Sequence, residues 1–410
     1  MPASSVAPCL EDLGVDALLA QARAATGLSD FGDPEFLPHL ARLADAWRDE
    51  AGLNAFGRQV AHARTLGSLK NRLWAQACFA AEPQAIAAQR IVAPIVIVGP
   101  HRSGTTRLQR LLACDTRLSH LRTCEGMNPA PRSLPIDGRD IAARRAEAEA
   151  ALTMRHARYP LAHAMHAMHA DWPEEEMLLL NHSFCSFSAL GLYDIPRWYR
   201  HWFAECDKTA SYAAMRRLLQ LVGHARGDAP GRRWLLKNPQ HMLDLPALMN
   251  VFPDARLVFL HRDPLKTVSS TLSMMTHFSA AHTDRDCRAS MRDTWLDFCE
   301  RSARRCIEAR GAITWAQQLD LHYDEMNRDW RTAMHRVYDF AGLDFTPRAE
   351  AAMARWLAAS ERDASHAGHR HRLEDFGLDE TTVEARMGFA RRRHGIAVES
   401  RTAGVRVAAQ

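Results

Sequence analysis

Ile95-Val96-Ile97-Val98-Gly99-Pro100-His101-Arg102-Ser103-Gly104-Thr105-Thr106 runs without a break into Arg107-Leu108-Gln109-Arg110-Leu111-Leu112. Ile95 to Val98 is a short apolar run of β-branched residues, suited to a strand buried on both faces of a parallel sheet. Gly99 to Gly104 is a tight loop. From Thr105 onward Leu108, Leu111 and Leu112 share one helical face. Strand, glycine loop and helix together make an anion cradle, because the first helical N–H groups lack internal partners and the helix dipole is positive there. The spacing Gly99, four residues, Gly104 is that of a nucleotide P-loop, but such loops continue with Lys and then Ser or Thr. Here Thr105-Thr106 follows and the cation sits earlier, at Arg102. That argues against hydrolysis of a nucleoside triphosphate and for a cofactor in which one phosphate carries a labile anionic group. A glycine turn with no ligand is the bland alternative.

Two later stretches bear on the choice. Trp234-Leu235-Leu236-Lys237-Asn238-Pro239 is a strand candidate ending in a cation. Ala255 to Leu260 is another, followed by His261-Arg262-Asp263-Pro264 and then Val268-Ser269-Ser270. With these in hand the chain resembles the sulfotransferases that use 3′-phosphoadenosine 5′-phosphosulfate (PAPS). In that family a Lys/Arg-Ser-Gly-Thr-Thr loop holds the 5′-phosphosulfate, and a strand-end Arg with a Ser eight residues on holds the 3′-phosphate. Arg262 and Ser270 have that spacing. The resemblance is greater to the larger bacterial branch, with its Arg-Ser/Thr-Gly-Thr-Thr loop and a downstream Glu followed closely by Asn-Pro. It runs from about Ala22 to about Gly395.

The resemblance implies an α/β fold: a central parallel sheet with helices on both faces, of the P-loop-like kind, plus an N-terminal helical layer and a helical insertion. It implies a cofactor site of Arg102, Ser103, Gly104, Thr105, Thr106, Arg262 and Ser270, and a catalytic set of Arg102, Lys237 and Glu125. Sulfuryl transfer needs in-line positioning, positive charge on the leaving oxygen and a base for the incoming hydroxyl. No metal is expected, because the sulfuryl group carries one negative charge rather than two. Arg102 can present a two-pronged donor to phosphate; a surface ion pair is its ordinary alternative. The hydroxyls of Thr105 and Thr106 serve either phosphate binding or helix capping. Lys237 reads otherwise as an exposed strand-end lysine. The eukaryotic cytosolic branch has a His two positions after that Lys, where this chain has Pro239; in bacterial and carbohydrate-directed members a Glu some twenty to thirty residues after the loop removes the acceptor proton, and the resemblance implies Glu125 in that role. Its alternative is a loop carboxylate paired with Arg122. His241 is the second candidate for the base. The family's adenine-stacking Trp is replaced by Arg107, which leaves the adenine contacts unassigned.

The chain of 410 residues holds one large α/β domain with elaborations, or two domains. The expected division is 1–93, an N-terminal helical region on the core; 94–395, the α/β domain, with about 136–227 as a helical insertion; and 396–410, a loose tail. A net charge of +4 is too weak a bias for nucleic acid. Nine cysteines, with no C-x-x-C pair, fit a reducing compartment. No signal sequence or membrane span is read, so the expectation is a cytoplasmic protein. The expected partner is a small-molecule, lipid or sugar acceptor, with a homo-oligomer left open.

Helical spacings cover Val15 to Ala25, Pro34 to Ala51, Ala55 to Ala80 and Pro83 to Ile91. Leu121 to Pro135 reads as loop, and Gly138 to Arg158 as a charged helix. Ala170 to Glu176 reads as a helix start with Pro173 in its first turn. Glu174-Glu175-Glu176 match an acidic run of the bacterial branch; they either complement a helix N-terminus or contact the acceptor. Trp172, Phe184, Phe187, Trp198, Tyr199 and Trp202 are either core or an acceptor pocket. His163, His166 and His169 recur every third residue, a poor metal spacing. His366, His369, Arg370, His371 and Arg372 form a basic cluster; in the cytosolic branch of the family a late basic loop of a different motif completes the 3′-phosphate site, and the resemblance suggests that role here. A kinase-like nucleotide-binding enzyme and a non-catalytic binding protein of the same fold are the rival readings.

Overall fold

The computed structural model describes residues 8–362 and 371–399. Its centre is a five-stranded, all-parallel sheet of β1 Ile95–Val98, β2 Ser119–His120, β3 Trp234–Lys237, β4 Arg256–His261 and β5 Gln318–His322. The spatial order is β2-β3-β1-β4-β5. Every residue of β1 and β3 is buried, which is why both read as unbroken apolar runs.

Side-chain alternation divides each strand between two cores. Val96, Val98, Leu236, Leu257 and Phe259 face one side, against Tyr212, Leu219 and Val222 of the helix Thr209–Arg226 and Leu248 of the helix Leu245–Val251. Ile95, Ile97, Leu235, Val258 and Leu260 face the other. They meet Leu108, Leu111 and Leu112 of the helix Thr105–Ala113 and Met334, Val337 and Tyr338 of the helix Trp330–Ala341. The chain leaves β1 for β2 and β3 on one side, then crosses to β4 and β5 on the other. The order therefore reverses around β1, and the carboxyl ends of β3, β1 and β4 open into one crevice, the usual ligand position in open parallel sheets. Register puts Lys237 beside Ile97 and Phe259 beside Val98.

A third core joins the N-terminal helices to elements far away in sequence. Leu18, Phe36, Leu40, Trp47 and Leu69 pack with Phe184, Tyr193, Trp198, Tyr199 and Phe203, and with Trp295 and Phe298 of the helix Arg288–Arg310. The helices Val15–Thr26, Phe36–Asp49, Ala55–Ala81 and Pro83–Ala87 form where the spacings predict them. Phe184, Phe187, Trp198 and Tyr199 are thus part of this core.

Four stretches differ from the expectation. Inside the expected loop at 121–135, Thr123–Met127 is a short helix, because the Glu125 carboxylate reaches back to accept from Arg122 N at 2.9 Å. Pro173 to Glu176 do not start a helix. They run extended, with Thr123 N donating to Trp172 O at 3.0 Å and Glu174 N to Leu121 O at 2.9 Å; the helix begins at Met177. Pro347–Arg362 is a helix that the reading passed over. Ile396 to Glu399, read as the start of a loose tail, lie against the end of β4, where Glu399 N donates to Asp263 Oδ2 at 2.8 Å. His366, His369 and Arg370 of the basic cluster, and residues 400–410 of the expected tail, lie outside the described residues. Among the described residues no helix is long and apolar enough to cross a membrane.

Candidate active site

The loop after β1 is built so tightly that its glycines are obligatory. A Cβ on Gly99 would sit 2.8 Å from Leu260 O and 3.0 Å from Thr105 Cγ2. Gly104 has φ 93°, and a Cβ there would meet the Tyr323 ring at 2.8 Å. Between them Arg102 takes a left-handed φ of 65°, and Ser103 Oγ donates to Pro100 O at 2.7 Å, which closes the turn. The helix then opens at Thr105, with its free N–H groups at the mouth of the crevice.

Arg102 and Arg262 come together here. Arg102 Nε donates to Ser270 Oγ at 3.0 Å, and its Nη1 donates to Met165 O. Arg262 Nη1 donates to the Arg102 carbonyl at 2.9 Å, and its guanidinium lies 3.9 Å above the Tyr323 ring. Burial, and then the charge of Arg262, pull Arg102 down to about 10. Burial also works against the charge on Arg262, but Glu399 with Tyr323 and Asp324 outweighs it and raises its pKa. Glu399 holds Arg262 by two oxygens, at 2.9 Å to Nε and 3.1 Å to Nη2. Ser270 reaches this point because Asp263 caps the helix Pro264–Ser279, accepting from Leu265 N at 3.0 Å, and turns it back across the strand end.

Lys237 forms a second group. Its Nζ is buried and donates to Glu175 Oε1 at 2.5 Å and to Thr106 Oγ1 at 3.3 Å. Its backbone N donates to Glu176 Oε2 at 2.9 Å. Glu176 Oε1 pairs with His241 Nε2 at 2.5 Å, and Tyr212 OH bonds the other ring nitrogen at 2.9 Å. Glu174 Oε2 lies 3.0 Å from His166 Nε2. Burial favours the protonated Glu174 carboxyl, yet His166 and Lys237 outweigh it and hold its pKa below the ordinary carboxylate value. The three consecutive glutamates thus each meet a different basic group, and Thr106 links this set to the loop.

Arg102, Ser270 and Arg262 are joined by direct hydrogen bonds, as are Lys237 and Thr106. Glu125 is not in either set. Its carboxylate is held by Arg122 at 2.5 Å and by Arg226 at 2.5 Å, and Arg226 also donates to His120 O of β2 at 3.0 Å. His241 is fully buried between Tyr212 and Glu176. Arg107 Nη1 donates to Asn327 Oδ1 at 2.5 Å, toward the helix Tyr323–Arg328. His371, from the basic cluster, bonds Ser269 Oγ at 3.1 Å, one residue from Ser270. Sequence reasoning missed Glu175 as the partner of Lys237, and missed Tyr323 and Glu399 altogether. The signal for Glu175 was present: three glutamates opening a stretch as apolar as Met177 to Gly191 must be buried, and buried carboxylates need cations.

Comparison with known proteins gives the family. A model of the sulfotransferase family matches residues 94–347. No curated protein sequence matches. Among solved structures, sulfotransferase STF1 from Mycobacterium tuberculosis H37Rv is 31% identical over 92% of this chain and 98% of its own, with a TM-score of 0.78. Sulfotransferase STF9 from Mycobacterium avium is 27% identical over 95% of this chain and 98% of its own, with a TM-score of 0.81.

Proposed function

The chain belongs to the sulfotransferase family and is a transferase, and from that premise we propose that it moves a sulfuryl group from PAPS to a hydroxyl or amine of a small-molecule, lipid or carbohydrate acceptor. The observation that carries the proposal is the joining of Arg102, Arg262 and Ser270 at the crevice, next to the Thr106–Lys237–Glu175 chain. Two buried guanidiniums held side by side repel each other, an arrangement that a bound polyanion relieves. In this reading Arg262 and Ser270 take the 3′-phosphate. Arg102, the Ser103–Gly104 backbone and the hydroxyls of Thr105 and Thr106 take the 5′-phosphosulfate. In the same reading the helices before β1 and the insertion at about 136–227 frame the α/β unit.

The chemistry is an in-line displacement at sulfur. The acceptor oxygen forms its bond to sulfur as the bond from sulfur to the 5′-phosphate oxygen breaks. Lys237 and Arg102 take up the charge that grows on the leaving phosphate. The acceptor's proton goes to a carboxylate, and we assign that role to Glu175 rather than Glu125. Glu175 is already on Lys237, whereas Glu125 is committed to two arginines away from it.

Titration calorimetry with 3′-phosphoadenosine 5′-phosphate and with ADP tests the cofactor assignment. Tight binding of the first, weak binding of ADP, and loss of the preference in Arg262→Ala are expected. Equal affinity for the two nucleotides would overturn it.

A further inference from the structure

Away from the crevice, three side chains from separate elements meet where the N-terminal helices join the rest of the molecule. His39 comes from the helix Phe36–Asp49, Cys185 follows the turn Asn181–Ser183, and Cys206 follows the turn Tyr199–Phe203. One ring nitrogen and the two sulfurs all lie within 4.8 Å of one another. Lys208 is two residues beyond Cys206, its ammonium buried on Asp244 at 2.8 Å and over the Phe203 ring at 4.6 Å. Cys185 is fully buried and Cys206 is half-buried. Trp202 Nε1 donates to His39 Nδ1 at 3.2 Å, so the ring proton lies on Nε2. That tautomer suits hydrogen bonding to a thiolate. A metal-bound imidazole has the opposite need, with its second nitrogen donating outward.

We propose that Cys206 and Cys185 are a peroxide-sensitive dithiol, in which Cys206 is the nucleophile and Cys185 the resolving thiol. The remaining cysteines do not share this setting. The hydrogen bond from Cys185 lowers the Cys206 pKa, His39 and Lys208 lower it further, and together they overcome burial. Burial pushes up Cys78, Cys114, Cys124, Cys185, Cys287, Cys299 and Cys306, and neighbouring carboxylates push up Cys9. The Cys206 thiolate attacks a hydroperoxide oxygen: an S–O bond forms, the O–O bond breaks, and hydroxide leaves as water after taking a proton. Cys185 sulfur then attacks Cys206 sulfur. The S–S bond forms, the S–O bond breaks, and the thiol proton of Cys185 leaves with the oxygen as water. Two thiols are oxidised and one peroxide is reduced. The pair is also tied to the site already described, because Cys185 O accepts from Gln240 Nε2 at 3.1 Å, in the turn that directly follows Lys237 and Asn238.

The test uses the whole reduced chain. A short pulse of iodoacetamide at about pH 6, where an ordinary thiol of pKa about 8.5 is almost wholly protonated, should label Cys206 at least ~10-fold faster than the more exposed Cys9. One equivalent of hydrogen peroxide should then give a Cys185–Cys206 disulfide peptide that dithiothreitol reverses. In Cys185→Ser the reaction should stop at a dimedone-trapped sulfenic acid on Cys206. Labelling of Cys206 no faster than Cys9, or peroxide oxidation without a Cys185–Cys206 link in the wild type, would overturn the proposal. So would stoichiometric zinc in the reduced protein that Cys206→Ser removes. The first two arms use unmutated protein and do not depend on how a variant folds.

Discussion

Lys237 is a cation with no access to water, and such a charge is kept only by what surrounds it. Its nearest oxygen is Glu175 Oε1, and stripping a buried ion of its partner costs about 3–5 kcal/mol. Glu175→Gln is therefore the informative change and Glu175→Ala is not, because the amide still offers Lys237 an acceptor but cannot take a proton. In a transfer assay with PAPS, kcat should fall by roughly 10²–10⁴-fold, the usual share of a general base, with little change in nucleotide affinity. Glu125→Gln should leave kcat within a few-fold and lower thermal stability instead, since it leaves Arg122 and Arg226 with a weaker acceptor. The reverse pattern would return the base to Glu125. His101, in the same loop, makes a different prediction. Its ring packs edge-on against Phe187, Trp295 and Phe298, its Nε2 has no partner among the described residues, and burial followed by Lys237 and Arg102 pushes its pKa down to about 3. The unfolded chain binds this proton first as the pH falls. The folding contribution is therefore complete above the ordinary value of 6.5 and drains away from there toward about 3. Over the first unit or two below that value, urea unfolding of His101→Phe should lose less stability than the wild type, by about 1.4 kcal/mol per pH unit. Parallel pH profiles would mean that His101 does not titrate differently on folding.

At the scale of elements, strands were the most legible part of the sequence. Ile95 to Val98 begins and ends where its composition says, because a strand buried on both faces must be apolar and its ends must turn. Lys237 and Arg262 could be found because each is the cation that closes such a run. What the sequence hid were partners set by long loops. The acids before Met177 signal a need for cations, but they do not single out Lys237, 62 residues away, as the partner of Glu175, and the same run fits a helix start equally well. The Arg122–Pro173 bridge decides between the two readings, and it exists only in the folded chain. Glu399 is the extreme case, 137 residues from Arg262. It occupies the guanidinium with two oxygens, so a 3′-phosphate taken up by Arg262 as proposed has to displace it. Hydrogen bonds to charged groups contribute about 1.5–3 kcal/mol, and this pair is partly exposed, so its net hold is at the low end. Glu399→Gln should therefore tighten 3′-phosphoadenosine 5′-phosphate by about 10-fold, with a smaller effect on ADP, which has no 3′-phosphate. Weaker or unchanged binding in the calorimeter would mean that the carboxylate does not compete for the site.

For the whole molecule, the open point is whether the helices before β1 are an attachment or part of the same structure. The N-terminal helices carry no residue of the Arg102 or Lys237 sets, so a separable layer would be functionally tolerable. The packing says otherwise. Leu40, Trp47 and Leu69 share one continuous core with Trp198, Phe203, Trp295 and Phe298, on elements that also enclose the loop after β1. Arg72 fastens the join. It pairs with Glu35 at 2.9 Å with both side chains about nine-tenths buried, donates to the carbonyls of Asp33 and His182, and lies 4.0 Å over the Phe36 ring. Truncating it leaves the Glu35 carboxylate buried with Ser183 as its remaining partner, the situation that costs about 3–5 kcal/mol. If the layer and the sheet form one cooperative unit, that loss is felt by all of it. Scanning calorimetry should then show a single transition in the wild type. Arg72→Ala should move that transition down as a whole, with protection of the β1 and β4 amides against hydrogen exchange falling together with that of the helix Ala55–Ala81. Two transitions, with only the first displaced by Arg72→Ala and the strand amides still protected, would mean that the helical layer folds on its own and the sheet does not depend on it.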